Sequence, residues 1–381
     1  MYRNLLLAIF TTFTLSPAVA VELSVGKDKI DAVANSYIIV FHDNVSANKV
    51  PELANQIAHA HAGAVRHRFK NTIKGFSAKL PSQAIEKIKN NPNVAYVEKN
   101  GIAWASVVPE KVDEVKAKGK PFANQPEAAQ VIPWGVNRVG GSRDGTGKHA
   151  WIIDTGIDLD HPDLNLGTGQ NFVLTGKKSS NDGNGHGTHV AGTIAAINNA
   201  IGVVGVAANA TVHPVRVLDD RGSGTIDSVI AGIDYVAANA QAGDVANMSL
   251  GARGHYQSLH DAVSRAADYG ILFAIAAGND SDNANNYEPA HVEHPQVYTI
   301  SAVEVRDIFA SFSNYMNPPV EFAAPGVGIL SRRAGGGVVS YSGTSMATPH
   351  VAGLLLFGIP EQGGFAIADP DNNPDPIAYH Y

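Results

Sequence analysis

Asp154, His186 and Ser345 each stand where a chain of alternating strands and helices exposes reactive side chains. Asp154 closes the apolar run Ala150-Trp151-Ile152-Ile153 and is followed by Thr155-Gly156. His186 lies between Gly185 and Gly187, just before the helix-like stretch THVAGTIAAI. Ser345 follows Gly343-Thr344 at the start of another predicted helix, with Pro349 near its first turn, where proline is best tolerated. A serine hydroxyl is a poor nucleophile until a base takes its proton and a carboxylate holds that base in the right tautomer. These three residues supply nucleophile, base and carboxylate. A nucleophile at a helix N-terminus also gains free backbone N–H groups that stabilise an oxyanion.

Two other readings compete. His186-x-x-His189 resembles half of a metal site, but zinc on a helix favours histidines at i and i+4 with a neighbouring carboxylate, and here the spacing is i and i+3 across Gly and Thr. The pair therefore reads as one reactive histidine and one packed into the buried face of its helix. His350-Val351-Ala352-Gly353 repeats the same small-residue pattern without a second base. A non-catalytic binding module is the third reading. Degenerate hydrolases lose a catalytic side chain, and none is missing here.

The elements that must position these residues are legible around them. From about residue 131, short apolar runs (HAWIID, ATVHPVRVL, DVANMSL, ILFAIAAG, QVYTISAVEV) alternate with helical patterns. Strands without polar alternation, separated by helices, predict an α/β fold: a three-layer, doubly wound, mostly parallel sheet with its site beyond the C-terminal strand ends. Ahead of it, strand and helix signals over residues 36–105 predict a small α+β, ferredoxin-like domain, with Pro-led helices from Pro51 and Pro81. Residues 106–130, rich in Lys, Glu, Pro and Ala, read as a linker, leaving 131–381 as the large domain.

The 381 residues, 44% of them hydrophobic, suit one large domain and one small one, and exclude disorder and collagen. Arg3, the apolar run Leu5–Leu15 and Ala18-Val19-Ala20 predict a secretory signal over residues 1–20, too short to span a bilayer. No cysteine is present, so rigidity must come from packing or a bound ion. Residues 1–128 carry 16 Lys and Arg against 11 Asp and Glu, and residues 129–381 carry 12 against 24. A basic segment beside an acidic body suggests mutual attraction and argues against a nucleic-acid partner.

The order Asp, His, Ser belongs to the subtilisin-type arrangement, whereas α/β-hydrolases run Ser, Asp, His. DTGID around Asp154, HGTHVAGT from His186, NMSLG at Asn247, AAGN ending at Asn279 and GTSMATPHVAG around Ser345 resemble the signature blocks of subtilisin-like serine peptidases. VLDDRGSGTIDSVIAGIDYVA resembles the proteinase K branch, and the N-terminal unit resembles the subtilisin propeptide, an intramolecular chaperone and inhibitor.

The resemblance implies a secreted, monomeric endopeptidase made as an autoprocessed zymogen, cutting protein substrates without a catalytic cofactor. It makes Asn279 the oxyanion-hole donor. Gly222-Ser223-Gly224 and Ser249-Leu250-Gly251 become the segments that clamp an extended peptide, and Ala276-Ala277-Gly278 an open pocket that favours apolar or aromatic side chains. It also implies a structural calcium at Pro295, Val297 and Glu321, where Glu replaces the family's aspartate. The acidic tail DPDNNPD from Asp369 reads as an unpaired, solvated turn. Processing is expected near residues 105–108, with trimming near 128–130.

Overall fold

A computed structural model describes residues 31–105, 129–176 and 178–381. The expected signal and the linker up to residue 128 lie outside them. Ala129 already bridges Ile201, and Gln130 Nε2 donates to Ile197 O at 2.7 Å, so the large domain takes up the chain two residues earlier than composition suggests.

In the small domain, β1 (Ser36–Phe41), α1 (Val50–Ala60), β2 (Ala64–Phe69), β3 (Gly75–Lys79), α2 (Ile85–Lys89) and β4 (Val94–Lys99) build an antiparallel sheet in the order β2-β3-β1-β4. The helix expected from Pro81 is shorter than its pattern, because Ser82–Ala84 forms a 3-10 turn first. β1 is apolar on both sides for a reason. Ile39 and Phe41 pack under α1 and α2, while Ile38 and Val40 join the core of the large domain. After β4 the chain leaves this sheet as β5 (Ile102–Ala105).

The large domain runs β6 (His149–Asp154), α3 (His186–Ala195), β7 (Thr211–Arg216), β8 (Ser223–Thr225), α4 (Ile226–Asn239), β9 (Val245–Met248) and β10 (Leu250–Arg253). It continues with α5 (Gln257–Ala267), β11 (Leu272–Ala276), β12 (Val297–Val303), β13 (Val320–Pro325), α6 (Thr344–Leu355), β14 (Glu361–Phe365) and β15 (Pro376–Tyr379). The ten-stranded main sheet has the order β14-β15-β13-β12-β11-β9-β6-β7 and ends in two short pairings, Asn165–Leu166 and Gln170–Asn171 with β7. Every pairing is parallel except β14 with β15.

Alternate residues of β6 serve opposite faces, as the pleat demands. Ile152 packs with Val190, Ile194 and Val351 of α3 and α6, whereas Trp151 and Ile153 pack with Ile230 and Val263 of α4 and α5. Both faces are covered, which is why the strand sequences show no polar alternation.

The tail departs from the expected turn. β14 and β15 form a hairpin whose second strand joins β13, and Asp369 and Asp375 are 6% and 0% exposed.

Candidate active site

Asp154 ends β6 and His186 begins α3, so the sheet and one helix fix their meeting. His186 Nδ1 lies 2.8 and 2.9 Å from the two Asp154 carboxylate oxygens, and both residues are buried. The glycines around the histidine have geometric reasons. Gly185 has φ +105°, left-handed backbone that a side chain would strain, and a Cβ on Gly187 would sit 2.1 Å from Gly156 O.

Asp182, which the sequence patterns did not single out, holds this helix start. Its carboxylate accepts the N–H groups of Asn184, Gly185 and Thr188 at 2.9, 2.8 and 3.0 Å and the hydroxyl of Thr155 at 2.9 Å. Thr155 Oγ1 in turn accepts from Gly187 N at 2.9 Å. The signal was present as an acid a few residues before a helix, satisfying its free amides.

Ser345 is the second residue of α6. Pro349 falls past the first turn, contrary to expectation, so it offers no N–H to the carbonyl of Ser345 four residues back. Ser249 Oγ takes that place, donating to Ser345 O at 2.9 Å, and is itself held by Asn247 Nδ2 at 2.9 Å. Ser345 Oγ donates to Ser249 O at 3.0 Å, and His186 Nε2, buried, has no hydrogen-bond partner. The geometry thus joins Asp154 to His186 and Ser345 to Ser249.

Asn279 follows β11. Its Oδ1 accepts from Thr344 N and Thr344 Oγ1 at 2.8 and 2.9 Å, which fixes the amide and leaves buried Nδ2 as a donor with no partner. Ala276 and Ala277 are buried, and Gly278 N donates to Thr344 Oγ1 at 3.2 Å. The segment before the donor is therefore tied to the residue before Ser345.

Between the two expected clamp segments lies β5. It pairs antiparallel with β8 on one side (Ser223 with Trp104, Gly224 with Ala103) and with β10 on the other (Leu250 with Ala105, Gly251 with Trp104). Ala105 N donates to Gly222 O at 2.9 Å. An extended segment of the chain itself fills the groove by strand addition on both edges.

The profile of the subtilase family matches residues 150–358, more than half of the chain, and that of peptidase inhibitor I9 matches residues 36–103. The chain belongs to the subtilase family. It is similar to the subtilisin-like serine protease AsES of Sarocladium strictum, 37% identical over 352 residues that cover 88% of this chain and 82% of the relative. Subtilisin E of Bacillus subtilis (strain 168) is 35% identical over 360 residues, 93% and 87% of the two chains, and Proteinase R of Parengyodontium album 34% identical over 343, 86% and 80%. A crystal structure of a cold adapted subtilisin-like serine proteinase matches with TM-score 0.58 at 36% identity, covering 65% of this chain and 98% of its own.

This subtilase is a serine peptidase with an I9-type inhibitor domain, the composition of a zymogen. The inhibitor domain docks on α4 and α5. Arg66 Nε stands 3.0 Å from Asp227 Oδ2, with 9% and 0% of the two side chains exposed. Burial pushes Asp227 up, but His67 and Arg66 outweigh it and hold the carboxyl below its usual range. Asp234 accepts the backbone N–H groups of Lys70, Asn71 and Thr72 at 3.1, 2.7 and 2.8 Å. Glu98 accepts from Gln257 N and Ser258 N at 2.8 and 3.2 Å, so an inhibitor-domain carboxylate caps α5. The sequence asymmetry of charge is expressed here less as ion pairing than as carboxylates on backbone amides.

His189 of the subtilase lies in the core. Its Nε2 donates to Ile329 O at 2.9 Å, its ring stacks on Tyr341, and burial lowers its pKa to about 3. At the expected calcium position, Glu321 Oε2 accepts from Thr299 N at 2.6 Å and Pro295 O from Tyr298 Oη at 3.3 Å. Burial, with Glu293 and Asp375 adding to it, pushes Glu321 up to about 8. Asp375 is raised to about 7, first by burial, and its Oδ1 is buried without a hydrogen-bond partner.

Proposed function

We propose that this subtilase is a secreted endopeptidase that hydrolyses peptide bonds through Asp154, His186 and Ser345. The observation that carries the reading is the Asp154–His186 pair, closed on the Nδ1 side and open at a buried, unpartnered Nε2. Asp154 holds the ring so that Nε2 is the lone-pair nitrogen. Ser345 Oγ turns from the Ser249 carbonyl toward Nε2, gives up its proton and attacks the substrate carbonyl carbon. The resulting oxyanion takes hydrogen bonds from Asn279 Nδ2 and from the Ser345 backbone N–H at the start of α6. His186 then protonates the leaving amine, the acyl-enzyme forms, and water hydrolyses it by the reverse path. In this reading the chain's own side chains, the Ser345 backbone N–H and water carry every step.

The pairing of β5 supports two further parts of this reading. Substrates bind as an extended strand between Gly222-Ser223-Gly224 and Ser249-Leu250-Gly251, with affinity from the main chain and little sequence demand. The small residues Ala276-Ala277-Gly278, buried in this structure, suit a pocket for apolar and aromatic side chains. Autocatalytic cleavage falls at residues 105–108, because Ala105 already lies opposite Leu250, beside the serine that Ser345 touches. Trimming near 128–130 follows.

A structural calcium belongs to the same reading. Glu321, with the carbonyls of Pro295 and Val297, offers oxygen ligands only, beside further carboxylates that include Asp375, the residue just before β15, the chemistry a hard cation requires. The Leu5–Leu15 run and Ala18-Val19-Ala20 support export, and the reading takes the matured enzyme as a monomer.

Ser345→Ala tests the mechanism. It is expected to abolish both casein hydrolysis and self-processing, and a serine-directed phosphonyl reagent is expected to label Ser345 of the wild type. A Ser345→Ala chain that still matures alone and digests casein would overturn the reading. N-terminal sequencing of the exported protein checks the processing site, and peptide-library profiling checks the preference.

A further inference from the structure

Behind the substrate groove, the short strand Tyr287–Glu288 pairs antiparallel with β10, Ala252 opposite Glu288 and Arg253 opposite Tyr287. β10 is therefore flanked by the groove-filling strand on one side and by Glu288 on the other. Glu288 is 1% exposed, yet its carboxylate is ringed by imidazoles. His291 Nδ1 lies 3.0 Å and His260 Nδ1 3.8 Å from Glu288 Oε1. The ligand atoms of His255, Glu288 and His291 all fall within 4.8 Å of one another. The His255 and His291 rings meet edge to face at 4.7 Å.

Hydrogen bonding accounts for only part of the arrangement. His291 Nδ1 is close enough to pair with Glu288 Oε1, but Glu288 Oε2 is buried without any donor. A buried acceptor without a donor is unfavourable. Three ligand atoms gathered within 4.8 Å of one another, beside a carboxylate oxygen left without a donor, are what a metal ion organises. Bonds of about 2.0–2.2 Å from imidazole nitrogen and carboxylate oxygen in a tetrahedron place ligand atoms roughly 3.3 Å apart. The His291–Glu288 separation is close to that, and His255 is exposed and able to swing in.

We propose that His255, Glu288 and His291 bind a divalent transition-metal ion of the zinc class, with His260 beside them to complete the set. Mixed imidazole and carboxylate donors select such ions over calcium, which takes oxygen ligands alone. His255 also borders a cavity of about 590 Å³ at the seam with the inhibitor domain, lined among others by Glu98, Gly101, Trp104, Arg253 and Tyr256, which gives the ion a path in. The bound ion ties the turn before α5 to the Tyr287–Glu288 strand and so braces β10 from behind. It lies outside the Asp154–His186–Ser345 chemistry and stands or falls separately from it.

Calorimetric titration of zinc alone into the full-length Ser345→Ala chain, stripped of metal and kept in excess calcium near neutral pH, tests the site. One saturable ion per chain is expected, with a Kd below about 1 μM. His255→Ala and His291→Ala are each expected to weaken binding at least about tenfold. Thermal unfolding of each apo variant checks folding; should His291→Ala fail to fold, His255→Ala, at an exposed residue, decides alone. Absence of saturable binding overturns the proposal, as does a loss smaller than about tenfold in a folded variant.

Discussion

Ser345 and Ser249 hold each other twice: Ser249 Oγ donates to the Ser345 carbonyl at 2.9 Å, and Ser345 Oγ donates to the Ser249 carbonyl at 3.0 Å. The first bond exists because Pro349 leaves that carbonyl without its helical donor. It fastens α6 to the start of β10, the strand that pairs with β5.

Ser249→Ala leaves the Ser345 carbonyl buried and unpaired, and is expected to lower stability by about 1–3 kcal/mol. Pro349→Ala restores an N–H at the right position. The double variant is therefore expected to regain part of the loss, giving a coupling of about 0.5–3 kcal/mol in denaturant unfolding of the Ser345→Ala chain. Strict additivity would mean that the proline is not what exposes this carbonyl.

Asn279→Leu keeps the size of the side chain but removes the Nδ2 donor together with the Oδ1 acceptor that holds Thr344. Turnover of a small peptide substrate is expected to fall about 10²–10³-fold with KM little changed, since the bond forms only as charge develops on the carbonyl oxygen. A proportionate rise in KM with unchanged kcat would assign Asn279 to ground-state binding instead.

Arg66→Ala removes the guanidinium partner of Asp227, which is wholly buried while the inhibitor domain is docked and keeps Thr225 Oγ1 and the nearby His67. Breaking a buried pair in this way costs about 3–5 kcal/mol. The full-length Ser345→Ala chain is expected to unfold at lower temperature, and in the active background proteolytic activity is expected to appear earlier. Equal melting temperatures would show that the docking rests on the Asp234 and Glu98 contacts.

Glu321 and Asp375 have pKa values raised to about 8 and about 7, above the range of an unfolded carboxyl. The folded chain therefore holds more protons than the unfolded one from about pH 4 to 8, and stability falls as pH rises through that window. A bound cation offsets the loss by favouring the ionised carboxylates. In chelator, the melting temperature of the Ser345→Ala chain is expected to be lower at pH 8 than at pH 5, and added calcium to raise it more at pH 8. Calcium without effect at either pH would remove it from this region.

The types, order and flanks of Asp154, His186 and Ser345 are legible in the linear chain because each sits at a strand end or helix start, and those boundaries leave local marks in glycines and apolar runs. The covered parallel sheet is legible for a similar reason: Trp151, Ile152 and Ile153 need both faces buried, so the absence of alternation reports the architecture. Asp182 left only a faint mark, because its work is done on amides that exist once Gly185 has turned the backbone into α3.

What the sequence by itself determined is therefore periodic burial and local chemistry, together with the family those motifs resemble. Only the tertiary structure decided which distant groups meet. The Ser249–Ser345 exchange, the capping of α5 by Glu98, the burial of Asp375 in the tail and the gathering of His255 and His291 on Glu288 all depend on strand register and loop closure. Those are set by the packing of whole sheets and helices, and no residue type or spacing within a short window records them.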